Sequence, residues 1–232
     1  MKIWLFAAFL ILWGNLLHPL LGASAVLPGG SWQFVVAGAA LVAFSLVGAR
    51  ALRLDGSALG LRRDGALRGV AVGAIAGAVI AAAGVAVMRL VAPAVIGQPV
   101  VYEPLSRVSV SDLTPHIAFF LPFGAVIPEE VAFRGTLLGG LLARYGVRFA
   151  VMASAATFAL WHGTVAIFTV ANTSLPVVLI IPAILGALVI LFAGGAIMAW
   201  LRVATGTLLA SIAAHWAFNA IILIGLRYPR ID

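Results

Sequence analysis

The chain has no cysteine and very little charge, and each shortage removes a class of protein. Without cysteine there is no disulfide framework, no thiolate-bound metal and no cysteine nucleophile. Charged residues make up 9% of the 232 positions and hydrophobic ones 64%, where a soluble globular domain carries about 25% charge. So few charges cannot cover a water-facing surface. With a mean hydropathy of +1.18, the composition reads as an all-α, polytopic membrane helical bundle whose immediate partner is membrane lipid. Two sequence signatures are absent as well: a Gly-x-Ser-x-Gly nucleophile turn and a His-Glu-x-x-His helix.

What the chain does have is apolar sequence of membrane-crossing length. About 20 residues span a ~30 Å hydrocarbon core, and seven stretches qualify: 3–21, 32–49, 67–96, 113–142, 147–170, 175–201 and 207–226. No repeat or linker divides them, so residues 1–232 are read as a single transmembrane domain. The formal net charge of +7 is read as topology, and no nucleic acid is expected as a partner. Lys2, Arg50, Arg53, Arg62, Arg63, Arg68, Arg144, Arg148 and Arg202 fall on one side of the seven-span arrangement; Arg89, Arg107, Arg227 and Arg230 fall on the other. The positive-inside rule then puts the N-terminus in the cytoplasm and the C-terminus outside. One lysine against thirteen arginines, with abundant Ala, Gly and Val, suggests a GC-rich genome and hence a bacterial cell membrane. A second reading of the first stretch is a signal peptide: Lys2, an apolar run, then the small residues Gly22-Ala23-Ser24-Ala25. Asn15 and His18 dilute that run. The basic segment from Arg53 to Arg68 is read as a cytoplasmic loop, with contact to anionic headgroups as the alternative.

Of the seven acidic residues, five lie in connecting segments or the tail: Asp55, Asp64, Glu103, Asp112 and Asp232. The other two, Glu129 and Glu130, stand side by side in an apolar run, where each carboxylate costs roughly 2.5–3.5 kcal/mol on insertion scales. Glu130 and Arg134 are four apart with the acid first, the favourable order for a helical ion pair. Glu129 points about 100° away and is the carboxylate left over. Pro128 suggests a helix restarting there, which would put both acids at a positive helix end. His162, with Phe158 one turn before it, and His215, with Asn219 one turn after it, lie on later spans. Counted from Arg144, Arg148 and Arg202, Glu129, His162 and His215 reach a similar depth, ~20 Å at 1.5 Å per residue. Singly, each histidine reads mostly as an interhelical hydrogen bond; at one depth, the three groups are read as one site. His116 and His18 are expected at an interface or a helix contact, Trp32 and Trp200 in the interfacial belt, and Trp161 and Trp216 beside the site. Gly139-Gly140 and Gly194-Gly195 allow close helix approach.

Glu-Glu-x-x-x-Arg (Glu129, Glu130, Arg134), Phe-x-x-x-His (Phe158, His162) and His-x-x-x-Asn (His215, Asn219), in that order on successive apolar segments, resemble the CPBP family. It comprises the type II CAAX prenyl endopeptidases and the bacterial Abi-type and bacteriocin-processing relatives. The resemblance covers about 112–226, the expected catalytic core. It implies an intramembrane endopeptidase acting on a peptide or lipidated protein. Glu129 and His162 would activate a water, His215 and Asn219 would bind the oxyanion, and Glu130, Arg134 and Phe158 would support them. The cofactor stays open. Glu129, His162 and His215 match a zinc set with an open water position, and a metal-free glutamate mechanism is the alternative. Two other functions compete: a non-catalytic scaffold or immunity protein retaining the site, and a small transporter using Glu129 and Glu130 as a relay, for which the expected inverted repeat is missing.

Overall fold

The structure is a computed structural model that describes residues 2–21 and 32–227. Residues 22–25, Arg230 and Asp232, and the side chain of His18, lie outside what it describes. Among the described residues every long element is a helix, as lipid requires, because only a helix or a closed barrel satisfies its backbone without water. The helices are α1 (Lys2–Leu21), α2 (Trp32–Ala51), α3 (Ala66–Ile96), α4 (Val110–Leu142), α5 (Val147–Trp161), α6 (Gly163–Ala171), α7 (Val177–Thr205) and α8 (Leu208–Leu226). Six are long and apolar enough to cross a membrane, and α5 with α6, bent by 48°, makes a seventh span when taken as one. The chain is a multi-pass integral membrane protein.

α4 departs from the expected restart at Pro128. Its backbone stays right-handed helical on both sides of that residue, with Val126 at φ −57, ψ −58 and Val131 at φ −61, ψ −42. The acids therefore do not sit at a free helix end. Instead the helix widens into π-turns over His116–Phe120, Pro122–Val126 and Val131–Leu137. Pro115, Pro122 and Pro128 bring no N–H, and their rings crowd the carbonyl four residues back; a wider turn relieves the clash without ending the helix. His116, near the start of α4, is 3% exposed and so packed inside the protein.

The bundle is held by close helix approaches. α3 turns Gly69, Gly73 and Gly77 toward α8, where a Cβ on Gly73 would meet the Ala210 carbonyl and one on Gly77 the Ala214 carbonyl. Without a hydrophobic drive between helices in lipid, such small-residue contacts supply the van der Waals packing. They also seat the face of α8 that carries His215. Gly38 of α2 lies against Pro128, its Cβ position 2.7 Å from that ring, and Gly195 of α7 lies 3.3 Å from the Phe158 ring and from Ala155. Ile3 and Leu10 of α1 are 1% and 0% exposed and pack in one core with Phe133, Leu137, Phe158 and Trp161. The outer faces, such as Val177 and Ile181 of α7, remain exposed for lipid.

Side chain–backbone bonds tie the connections at both ends of the bundle. At the arginine-rich end, Arg202 donates to the Ala58 carbonyl, Leu208 N–H bonds Gly60 O at 2.9 Å, and Asp55 accepts from Ala58 N–H at 2.7 Å. That bond, and one from Ser57, hold the Asp55 carboxyl below its ordinary value. At the opposite end Arg89 donates to the Gly225 and Arg227 carbonyls, and Arg227 to Val108 O, each at 2.8 Å.

Replacing Gly73 with leucine is expected to force α3 from α8 and lower stability by about 1–3 kcal/mol, the usual cost of overpacking. Gly194, whose Cβ position faces open space, is the matched control and should stay within about 0.5 kcal/mol. Unfolding midpoints in detergent, compared between Gly73→Leu and Gly194→Leu, check the contrast.

Candidate active site

Glu130 and Arg134 form the buried centre. The guanidinium donates to Glu130 Oε1 at 2.9 Å, and both side chains are 0% exposed. Neither charge is tolerable alone at that depth, since desolvation costs several kcal/mol per ion. The pair gains from further partners. His215 Nδ1 lies 2.9 Å from the same Glu130 oxygen, Arg134 donates to Gly195 O at 3.3 Å, and its guanidinium carbon stands 4.2 Å from the Phe158 ring centre. Glycine at 195 lets α7 come up against Ala155 and the Phe158 ring, where a Cβ would stand 3.3 Å from each.

Phe158 is the hub. Its ring is 4.4 Å from the His162 ring and 6.1 Å from that of His215, and it meets Phe133 edge-on at 5.1 Å. One aromatic face thus takes a cation–π contact while its neighbours orient both imidazoles.

Glu129 faces the other way, toward α5. Its Oε2 lies 3.7 Å from His162 Nε2, and this buried oxygen has no hydrogen-bond partner. A gap of that size is one a water bridges. Both residues border a cavity of about 100 Å³ walled by Trp13, Leu17, Phe34, Leu41 and Trp161, ample for water, which needs some ~10–15 Å³.

His162 owes its orientation to the break between α5 and α6. Its backbone, at φ −88, ψ 9, sits in the bridge region where many active-site residues are found. Its N–H bonds Ala159 O at 3.1 Å, three residues back, in place of the Phe158 carbonyl a regular helix would use. The imidazole Nδ1 lies 2.9 Å from that Phe158 carbonyl. A carbonyl only accepts, so Nδ1 carries the proton and Nε2, facing Glu129, is the basic nitrogen.

Asn219, one turn beyond His215, lines a separate and larger cavity of about 600 Å³, together with Ile96, Tyr102, His116, Val170, Ile190 and Leu223. The volume lies within the ~300–1,000 Å³ typical of ligand sites. Its outer rim is tied by Tyr102 pairing with Thr173 and by Ser174 N–H to Val101 O at 2.9 Å. Burial raises the Tyr102 hydroxyl above its ordinary value.

The structure therefore gathers Glu129 with His162 and Glu130 with Arg134 and His215, with Phe158 between the two groups; Asn219 looks onto the larger cavity. Trp161 is buried beside the site, and Trp216 on α8 donates to Ile117 O at 3.0 Å. Among the described residues no three His, Asp or Glu side chains converge as a metal-holding group. Gly195, read from the sequence as a point of close helix approach, does lie against Ala155 and Phe158. Sequence reasoning missed the role of Asn15, which was legible as a polar residue in an apolar span, but not its partner, the break at His162.

An acid–histidine cluster drawn from three helices inside a multi-pass bundle points to a class, the intramembrane hydrolases. Residues 112–221 match the family model described as type II CAAX prenyl endopeptidase Rce1-like, the same stretch whose motifs resemble the CPBP family of intramembrane proteases. The matched description is that of an endopeptidase of the CAAX prenyl type. Neither a curated protein nor a solved structure matches the chain.

Arg134→Met leaves Glu130 buried without its cation and is expected to destabilise the protein by about 3–5 kcal/mol. Adding Glu130→Gln should recover part of that loss, because the two residues are directly coupled. Denaturation of the singles and the double variant in detergent measures it.

Proposed function

We propose that the protein hydrolyses a peptide bond of a prenylated substrate with a water activated by Glu129 and His162. The observation carrying this reading is the Glu129–His162 pair. An unpartnered carboxylate oxygen and a basic imidazole nitrogen stand 3.7 Å apart beside a water-sized cavity. The water's proton passes to this pair, its oxygen attacks the scissile carbonyl carbon, and the C–N bond breaks as the same proton is returned to the leaving amine. The tetrahedral oxyanion is bound by Asn219 Nδ2 and His215. His215 turns Nδ1 to Glu130, so its opposite ring nitrogen, Nε2, is the one left for the oxyanion. Glu130, Arg134 and Phe158 hold these groups in place.

A lipidated substrate is favoured by the 600 Å³ cavity, whose mostly apolar wall suits an isoprenoid chain and brings that chain to Asn219. The non-converging donor set favours a mechanism in which no step runs through a metal. The arginine-rich end is assigned to the cytoplasm of a bacterial cell membrane, with the N-terminus on that side.

In detergent, Glu129→Gln is expected to lower kcat on a quenched-fluorescent farnesylated CAAX peptide by about 10²–10⁴-fold, the usual worth of a general base. Asn219→Ala should lose about 10²–10³-fold. Full activity in Glu129→Gln would sink the assignment of the base. Activity is expected to survive exhaustive chelation and dialysis. A loss restored by added zinc would instead require a metal at Glu129 and His162.

A further inference from the structure

The break that creates His162's orientation is held from outside the family-matched segment. α1 lies along it, and the Gly14 Cβ position falls against the Trp161 ring. The next residue, Asn15, reaches into the break itself. Its Nδ2 donates to Leu160 O at 2.8 Å, and its Oδ1 accepts from Thr164 N–H at 2.8 Å and from Thr164 Oγ1 at 2.9 Å. Thr164 Oγ1 also donates to the Asn15 main-chain carbonyl at 3.1 Å. Leu160 O and Thr164 N–H are four residues apart and would bond each other in an unbroken helix. The Asn15 carboxamide carries two N–H donors and an acceptor oxygen; one N–H goes to Ile11 O within α1 at 2.8 Å, while the other and the oxygen take up both ends of that rung. Gly163 gives it room, its Cβ position being 2.9 Å from Asn15 Oδ1.

We propose that Asn15 is a positioning residue for the Glu129–His162 pair: its carboxamide replaces the backbone rung lost at the break and so keeps the helix from straightening. In a straightened helix the His162 N–H would reclaim the Phe158 carbonyl. The imidazole Nδ1 would then lose its acceptor, and with it the tautomer that presents a basic Nε2 to Glu129. Inside a membrane the Leu160 carbonyl and the Thr164 N–H must both be satisfied, and the 48° bend persists because Asn15 satisfies them. α1 is therefore part of the catalytic apparatus, although the family match begins at residue 112.

This rests on the reading of Glu129 and His162 as the water-activating pair, so the test has one arm that needs no substrate. The full-length protein is labelled with 15N-histidine and its imidazole nitrogens are recorded in wild type, Asn15→Leu and Asn15→Asp. His162 is assigned from the signals missing in His162→Gln. Wild type is expected to show His162 as the Nδ1–H tautomer, and Asn15→Leu a mixture or its loss. On the farnesylated peptide Asn15→Leu should lower kcat by about 10–100-fold, the scale of a displaced catalytic group, with KM unchanged. Asn15→Asp keeps the acceptor for Thr164 but lacks the donor to Leu160 and should fall between; it also carries the test if Asn15→Leu does not fold. An unchanged His162 tautomer, with activity falling only in step with the folded fraction, would overturn the proposal. Failure of wild type to cleave the peptide would count against the substrate reading, while the nitrogen spectra would still decide the role of Asn15.

Discussion

A carboxylate with no exposure, held in an apolar bundle by one guanidinium, is the constraint on which the rest of the site depends. Glu130 is tolerated there only because Arg134 is one turn away, and Arg134 only because Glu130, the Gly195 carbonyl and the Phe158 ring surround it. Removing water makes each of these contacts stronger and each omission more costly. The pair thereby locks α4, α5, α7 and α8 in register. His215 completes it from α8, and α8 can come close enough only because α3 offers glycines along the facing side.

Around that rigid centre, backbone irregularity does the chemical positioning. The wide turns of α4 let three prolines sit in a continuous span, keeping the two acids mid-helix. The break after α5 frees a carbonyl for the His162 ring and aims its other nitrogen at Glu129. In a membrane such departures from the regular hydrogen-bond ladder persist only where side chains re-satisfy the backbone. Asn15 does this at the break. Division of labour follows: one Glu130 oxygen is taken up by Arg134 and His215, while Glu129 turns toward His162, next to space for water.

Much of the fold could be read from the residues. Spans of about 20 apolar residues, the clustering of arginine at alternate ends and the i, i+4 spacing of Glu130 with Arg134 are local properties, and local properties survive folding because the bilayer imposes helices. The same reasoning went astray at Pro128, where the helix does not restart. The error concerns how a helix responds to proline, and a π-turn depends on what the neighbouring helices allow. The partner of His215 was beyond reach for a related reason: at one depth Glu129 and Glu130 are equally near in sequence, and only the rotation of α8 about its axis chooses between them.

By itself, then, the sequence determined that this is a multi-pass helical membrane protein with an acid–histidine cluster at one depth. Hydrophobicity and helical spacing are one-dimensional quantities, and the ordered motifs carry the family. Tertiary structure alone decided which imidazole faces which carboxylate, that Glu129 keeps an unpartnered oxygen, that a 600 Å³ cavity meets Asn219, and that a residue of the first helix mends the break at His162. These are relations between helices distant in the chain, set by packing angles and backbone bends that no spacing within a single segment encodes.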